Sequence, residues 1–160
     1  MALRASPAIP FATRRVPPAD PLAPLTIALP DGDEPQAVAY DEDLQLVVVL
    51  AGAGGRSRVH LIDGGFLTLR ATVDFPEVAT DLTLSGGYLF APGANGIYIV
   101  DLSTQTLVSR PWVDFDQTGE IAVSDDQHEA LVQFHSAWTN AGPGIALVDL
   151  TTGRVREIWR

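Results

Sequence analysis

The groups in this 160-residue sequence that could do chemistry are three histidines, one glycine-rich run and twenty carboxylates. A metal centre or an acid–base pair needs its histidines to converge on one point. His60 sits inside an apolar run, Val59 to Asp63 (VHLID), and is expected as a half-buried strand residue. His128 lies in a turn ahead of a strand and His135 opens the loop behind that strand, so the two are expected at opposite ends of it. No G-x-S-x-G is present, and the adjacency of His135 and Ser136 implies no hydrogen-bond geometry, so a Ser-His-Asp hydrolase is not expected. The run Ala51 to Arg56 (AGAGGR) follows an apolar strand, as a dinucleotide loop does. Its last glycine is replaced by Ser57, however, and Arg58 to Asp63 alternates like a strand where phosphate binding requires a helix N-terminus. A flexible loop is expected there.

The carboxylates divide evenly between two ends of the strands. Nine fall in the segments that hand one strand group to the next, from Asp31, Asp33 and Glu34 through Asp74, Glu77 and Asp81 to Asp114, Asp116 and Glu120. Nine others, from Asp41 to Asp149, fall at the opposite end, an even split that turn propensity alone produces. Asp63, Asp101 and Asp149 recur at one position of a repeat and are expected to tie turns through nearby backbone N–H groups. A Ca²⁺ site needs six to eight oxygens around one point, and no EF-hand spacing is present, so no metal site and no cofactor are expected. The sequence has no cysteine and no lysine, which removes disulfides, thiolate ligands, Schiff-base chemistry and a P-loop. A net charge of −10 gives no basic stripe for a phosphate backbone, so nucleic acid is not an expected partner. Nor is a membrane, because no apolar run approaches ~20 residues.

The elements that must position these groups come from a unit spelled three times. Each copy has a short apolar strand, an acidic turn, a second strand, a Gly-bearing loop, and a third strand ending in Asp: VHLID to Asp63, IYIVD to Asp101, IALVD to Asp149. The Asp residues are 38 and 48 positions apart, and four short strands per such period is the pattern of β-propeller blades. The fold class is therefore all-β, with three four-stranded antiparallel blades at about 36–75, 81–115 and 120–160. First strands are expected at Gln36–Tyr40, Asp81–Ser85 and Glu120–Ser124, and fourth strands at Thr68–Phe75, Leu107–Phe115 and Arg154–Trp159. Residues 1–24 hold six prolines and are expected as a disordered tail or linker ahead of a propeller segment, 25–160. Leu25–Leu29, ending at Pro30, is a candidate extra strand where the fourth strand of a preceding blade would lie.

Ile121 to Trp159 resembles a bacterial YVTN-type (WD-repeat-like) propeller repeat: Ser124-Asp125-Asp126 matches its turn, Val148-Asp149 the end of its third strand, and Thr151-Thr152-Gly153-Arg154-Val155 its Thr-x-x-Gly-x-Val. The middle copy, Asp81 to Ser109, is similar to related repeats through Ile99-Val100-Asp101. The first copy departs, with Gly64-Gly65 after its Asp in place of Leu-Ser/Thr, so a different turn is expected. Closed propellers have four to eight blades. Three therefore imply a fragment of a longer propeller, two copies completing a six-bladed ring, or an open β-structure capped by its own tail.

The longest loop between strands, His135 to Gly144 (HSAWTNAGPG), belongs to the end where propellers bind ligands. It supplies the candidate partner-binding residues His135, Trp138 and Asn140. Trp138 either anchors a partner or folds back over the blade edge, whereas Trp112 and Trp159, on outermost strands, are expected as packing residues. The expected function is a non-catalytic interaction or scaffold module with a protein or glycan partner. The alternative, implied by the resemblance, is part of a propeller enzyme, lactonase-like or quinoprotein-like, whose site other blades complete.

Overall fold

The computed structural model describes residues 27–30, 32–93, 95–109, 117–135 and 142–160. Twelve strands form three antiparallel sheets, each a four-stranded meander in chain order. The first blade is β1 (Glu34–Asp41), β2 (Leu46–Gly52), β3 (Ser57–Asp63) and β4 (Leu69–Asp74). The second is β5 (Thr83–Ser85), β6 (Tyr88–Gly93), β7 (Gly96–Asp101) and β8 (Thr106–Ser109). The third is β9 (Gln117–Val123), β10 (Glu129–His135), β11 (Pro143–Asp149) and β12 (Arg154–Trp159). These sheets resemble propeller blades and form no closed ring. Each expected strand is present where it is described. The Pro-rich tail, the remainder of the second blade's fourth strand with Trp112, and the loop residues Trp138 and Asn140 lie outside the described residues. So do Leu25 and Thr26, and the described part of the candidate extra strand, residues 27–29, is irregular.

One turn is built three times. The Oδ1 of Asp63 accepts the N–H groups of Gly65 and Phe66, at 2.9 and 2.7 Å. Asp101 does the same with Ser103 and Thr104, at 2.8 and 3.1 Å, and Asp149 with Thr151 and Thr152, at 3.0 and 2.9 Å. The fourth residue after each Asp has positive φ: Leu67 at 54°, Gln105 at 60°, Gly153 at 68°. The residue directly after each Asp donates its N–H to the neighbouring hairpin turn, Gly64 to Gln45, Leu102 to Gly87 and Leu150 to His128, at 2.8–3.0 Å. The first blade's turn therefore does not differ, contrary to expectation, because the Asp carboxylate and the backbone define it rather than the residues that follow. Gly64 is required there: a Cβ would lie 2.9 Å from the Gln45 carbonyl oxygen. The run Ala51–Arg56 is likewise no flexible loop. Ala53 and Arg56 exchange backbone hydrogen bonds across Gly54 and Gly55, whose φ values of 58° and 86° make a tight hairpin turn.

A bulge also recurs. The pairing of third and fourth strands slips at Leu61/Ile62, Ile99/Val100 and Leu147/Val148, leaving Arg70, Val108 and Arg156 as the extra residues.

The blades bury their faces against one another. Val48, Leu50, Val59 and Leu61 of the first blade pack on Leu89, Ala91, Tyr98 and Val100 of the second. Phe90, Ile97 and Ile99 of the second pack on Ala130, Val132, Ala146 and Val148 of the third. Full burial of such a large aliphatic side chain contributes about 1.5–3 kcal/mol. Phe75, just past β4, stacks on Tyr98 with ring centroids 4.4 Å apart. Ser57 ties the connector to the second blade, accepting from the Ala79 N–H at 3.0 Å.

Candidate functional site

The recurring aspartates are committed to turns, and their ionisation reflects it. The Thr152 N–H, then the Arg156 guanidinium, hold Asp149 down at about 2. The Phe66 N–H and then Arg70 lower Asp63, and the Ser103 hydroxyl followed by the Thr104 N–H lowers Asp101. The Ser124 hydroxyl, then the His128 N–H, lower Asp126. Arg70 and Arg156, the bulge residues, reach back seven positions to the second oxygens of Asp63 and Asp149, with Arg156 at 2.6 Å. Asp149 in turn raises the pKa of Arg156. Among the described residues no group of three or more His, Asp or Glu could hold a metal ion.

His60 differs from expectation. It is fully buried rather than half-buried. Its Nε2 lies 2.8 Å from Asp33 Oδ2 and its Nδ1 3.1 Å from Thr72 Oγ1. The Asp33 side chain is 1% exposed. Arg58 donates to Asp33 Oδ1 at 3.1 Å and to Asp74 at 2.7 Å, and these two carboxylates, Asp74 foremost, raise its pKa. This cluster pins residues 27–30, with Gly32 and Asp33, onto the face of the first blade that points away from the second, beside Val49 and Ile62. A counterpart joins the first two blades: Glu77, in the connector, accepts from the Tyr98 hydroxyl at 2.6 Å. Asp33 and Glu77 each stand two residues before the residue that pairs with β2 or β6 (Pro35 with Ala51, Ala79 with Gly93). His60 and Tyr98 each stand three before the turn Asp. In the third blade that place is taken by Ala146, which has no polar side chain to offer.

The third blade presents the remaining candidate surface. Along β10, Leu131, Gln133 and His135 share one face by strand alternation, all exposed. Leu131 pairs with Leu147, Gln133 with Ile145, His135 with Pro143, and Ile145 with Trp159. A hollow of about 480 Å³ opens among Glu120, Gln133, Pro143, Ile145, Trp159 and Arg160. His135 is therefore at the rim of an exposed flank, and its expected loop partners lie outside the described residues. Trp159 is not the packing residue expected: it is 43% exposed and borders the hollow, because the bulge opposite Leu147 turns it to the open side. His128 and His135 lie at the two ends of β10, about 23 Å apart along an extended strand, and do not meet.

No family model matches this sequence, and no curated protein matches it. The fold is similar to a chain of Kuenenia stuttgartiensis hydrazine synthase, with a TM-score of 0.65 and 15% identity, over 78% of this chain and 36% of that one. This chain thus spans about a third of that chain's length. At this identity the likeness bears on fold alone: an all-β chain of four-stranded, propeller-like blades.

Proposed function

We propose that the chain is a non-catalytic β-propeller interaction module, built from YVTN-type repeats, that engages a protein or glycan partner through the third blade. The observation that carries this reading is the exposed flank running from Leu131 and Trp159 to His135, the last residue of β10. An aromatic wall, an amide, a carboxylate and a guanidinium around one hollow are groups that recognise a partner without reacting with it. The turn carboxylates are taken up in hydrogen bonds to backbone N–H groups, with Arg70 on Asp63, Arg156 on Asp149 and the Ser103 hydroxyl on Asp101. The test is binding to an immobilised glycan panel and a panel of defined peptides, by wild type and by His135→Ala and Trp138→Ala. At least one probe is expected to bind, and each variant to weaken it about tenfold or more (about 1.4 kcal/mol) with unchanged thermal unfolding. Failure of both panels, or a probe indifferent to both substitutions, would overturn the assignment.

A second reading is favoured by one observation: the similar chain belongs to an enzyme, and this chain matches only 36% of it. On that reading the protein is part of a propeller enzyme, a lactonase-like hydrolase or quinoprotein-like oxidoreductase, with its site completed by other blades. Turnover would then appear only when those blades are supplied.

A further inference from the structure

The three blades can be superposed residue by residue through their turn aspartates, and the comparison assigns an occupant to the open flank. Leu131, Ile145 and Leu147 of the third blade stand where Val48, Val59 and Leu61 stand in the first and Phe90, Ile97 and Ile99 in the second. The residue class is the same, large and apolar. In the first two blades all six are at most 9% exposed because the next blade covers them, whereas Leu131 is 43% and Ile145 46% exposed. We infer that this flank is the seat of a β-blade of a partner protein, presenting a mainly apolar face. Such faces cover the first two blades: Leu89, Ala91, Tyr98 and Val100 on one, Ala130, Val132, Ala146 and Val148 on the other. This inference rests on the interaction-module reading and names the class of partner for its flank.

A second copy of this chain does not fit here by the face of its first blade. The matching face of its first blade carries Val47, Val49, His60 and Ile62, and residues 27–30, Gly32 and Asp33 already lie beside Val49 and Ile62, with His60 fully buried against Asp33. A docking blade would have to break that cluster.

The geometry also supplies the experiment. Trp159 pairs with Ile145 as Val73 pairs with Val59, so Arg160 stands where Asp74 does. A duplicate of residues 75–109 appended after Arg160 therefore enters at the register by which the second blade follows the first. The sequence contains no cysteine, so Leu131→Cys gives a single thiol whose reaction with a soluble reagent reports exposure of the flank. In residues 1–160 alone this thiol is expected to react rapidly at a rate independent of protein concentration. In the extended chain its rate is expected to fall about tenfold or more. Leu89→Asp made in the duplicate alone is expected to restore it. Ile145→Cys serves as the second reporter if Leu131→Cys impairs folding. Full reactivity of both reporters in the extended chain would overturn the inference. So would protection of the 160-residue chain that grows with concentration alongside a doubled solution mass, since a second copy would then be the occupant. Trp138→Ala is expected to leave the protection intact, so failure of the loop in partner binding is distinguishable from failure of the flank.

Discussion

The Asp33–His60 contact makes a quantitative prediction about how the first blade is capped. Asp33→Ala removes the carboxylate 2.8 Å from His60 Nε2 and leaves that nitrogen without its partner at a fully buried position. A buried polar group that loses its partner costs about 1–3 kcal/mol, and a broken buried ion pair about 3–5. Arg58 is 39% exposed and keeps Asp74, so it adds little. The expected loss is about 2–4 kcal/mol, a fall of roughly 5–15 °C in unfolding midpoint for a chain of this size. His60→Ala should cost a comparable amount, partly by leaving a cavity. The decisive quantity is the coupling in the Asp33→Ala/His60→Ala cycle, where cavity and propensity effects cancel. It is expected at 1.5 kcal/mol or more, measured by urea unfolding with unchanged slope. The parallel cycle at Glu77 and Tyr98 should give coupling of the same sign, because that pair occupies the same place one blade on. A coupling below about 0.5 kcal/mol at Asp33 and His60 would refute the argument. Residues 27–30, Gly32 and Asp33 would then lie on the blade without being held by it.

Two further outcomes concern the repeated turn. Gly153→Ala places a Cβ at φ 68° and is expected to destabilise the protein by about 1 kcal/mol, whereas Gln105→Gly, at the same place in the second blade with φ 60°, is expected to range from neutral to about 1 kcal/mol stabilising; both are read by urea unfolding. Asp149, held at about 2 when folded and near 3.9 when unfolded, contributes stability that is fully present above roughly pH 4 and is lost as the pH falls toward 2. Asp149→Asn should therefore flatten the acid limb of stability between pH 4 and 2 as followed by circular dichroism, and an unaltered limb would count against the turn tie.

How much of this was legible in the sequence depends on the range of each interaction. The strands were, because the apolar runs and the recurring Asp are local signals and every blade repeats them. The turn after Asp63 was misjudged from Gly64-Gly65, although the chemistry that shapes it, a carboxylate taking two backbone N–H groups, resides in the Asp itself. Trp159 was misplaced for a different reason. Uninterrupted alternation from Val155 would turn it toward the second blade, and the bulge opposite Leu147 reverses its side, as a one-residue slip must. A signal for that bulge did exist: Arg70 and Arg156 each stand seven residues after the turn Asp that they bind. The burial of His60 was not legible from its own surroundings, because its partner lies 27 residues upstream in an acid-rich segment. Its trace along the chain is that Asp33 and Glu77 each stand two residues before a residue paired with the second strand of their blade, although they lie 27 and 21 residues ahead of their partners.

An internal repeat also acts as its own control, since a position that departs from its two equivalents answers to a different demand. The clasp position is Tyr98 in the second blade and His60 in the first, each bonded to an acid that precedes the blade, so both of these blades are tied to the segment that enters them. The third blade has Ala146 there. Thr80 and Asp81 take over, donating to the Thr118 carbonyl at 2.9 Å and accepting from the Ile121 N–H at 3.3 Å. Every blade is thus secured on its entering side by polar contacts that fix one geometry. The leaving faces themselves carry large apolar residues in all three, Val48 and Leu61, Phe90 and Ile99, and Leu131 and Leu147. Polar ties of this kind tolerate little change of partner, whereas an aliphatic face accepts any surface of matching shape. Among the described residues, the exposed leaving side of the third blade is therefore a place where the repeat's own construction leaves an attachment unmade, and contacts with other molecules should be sought there before the acidic ends of the strands.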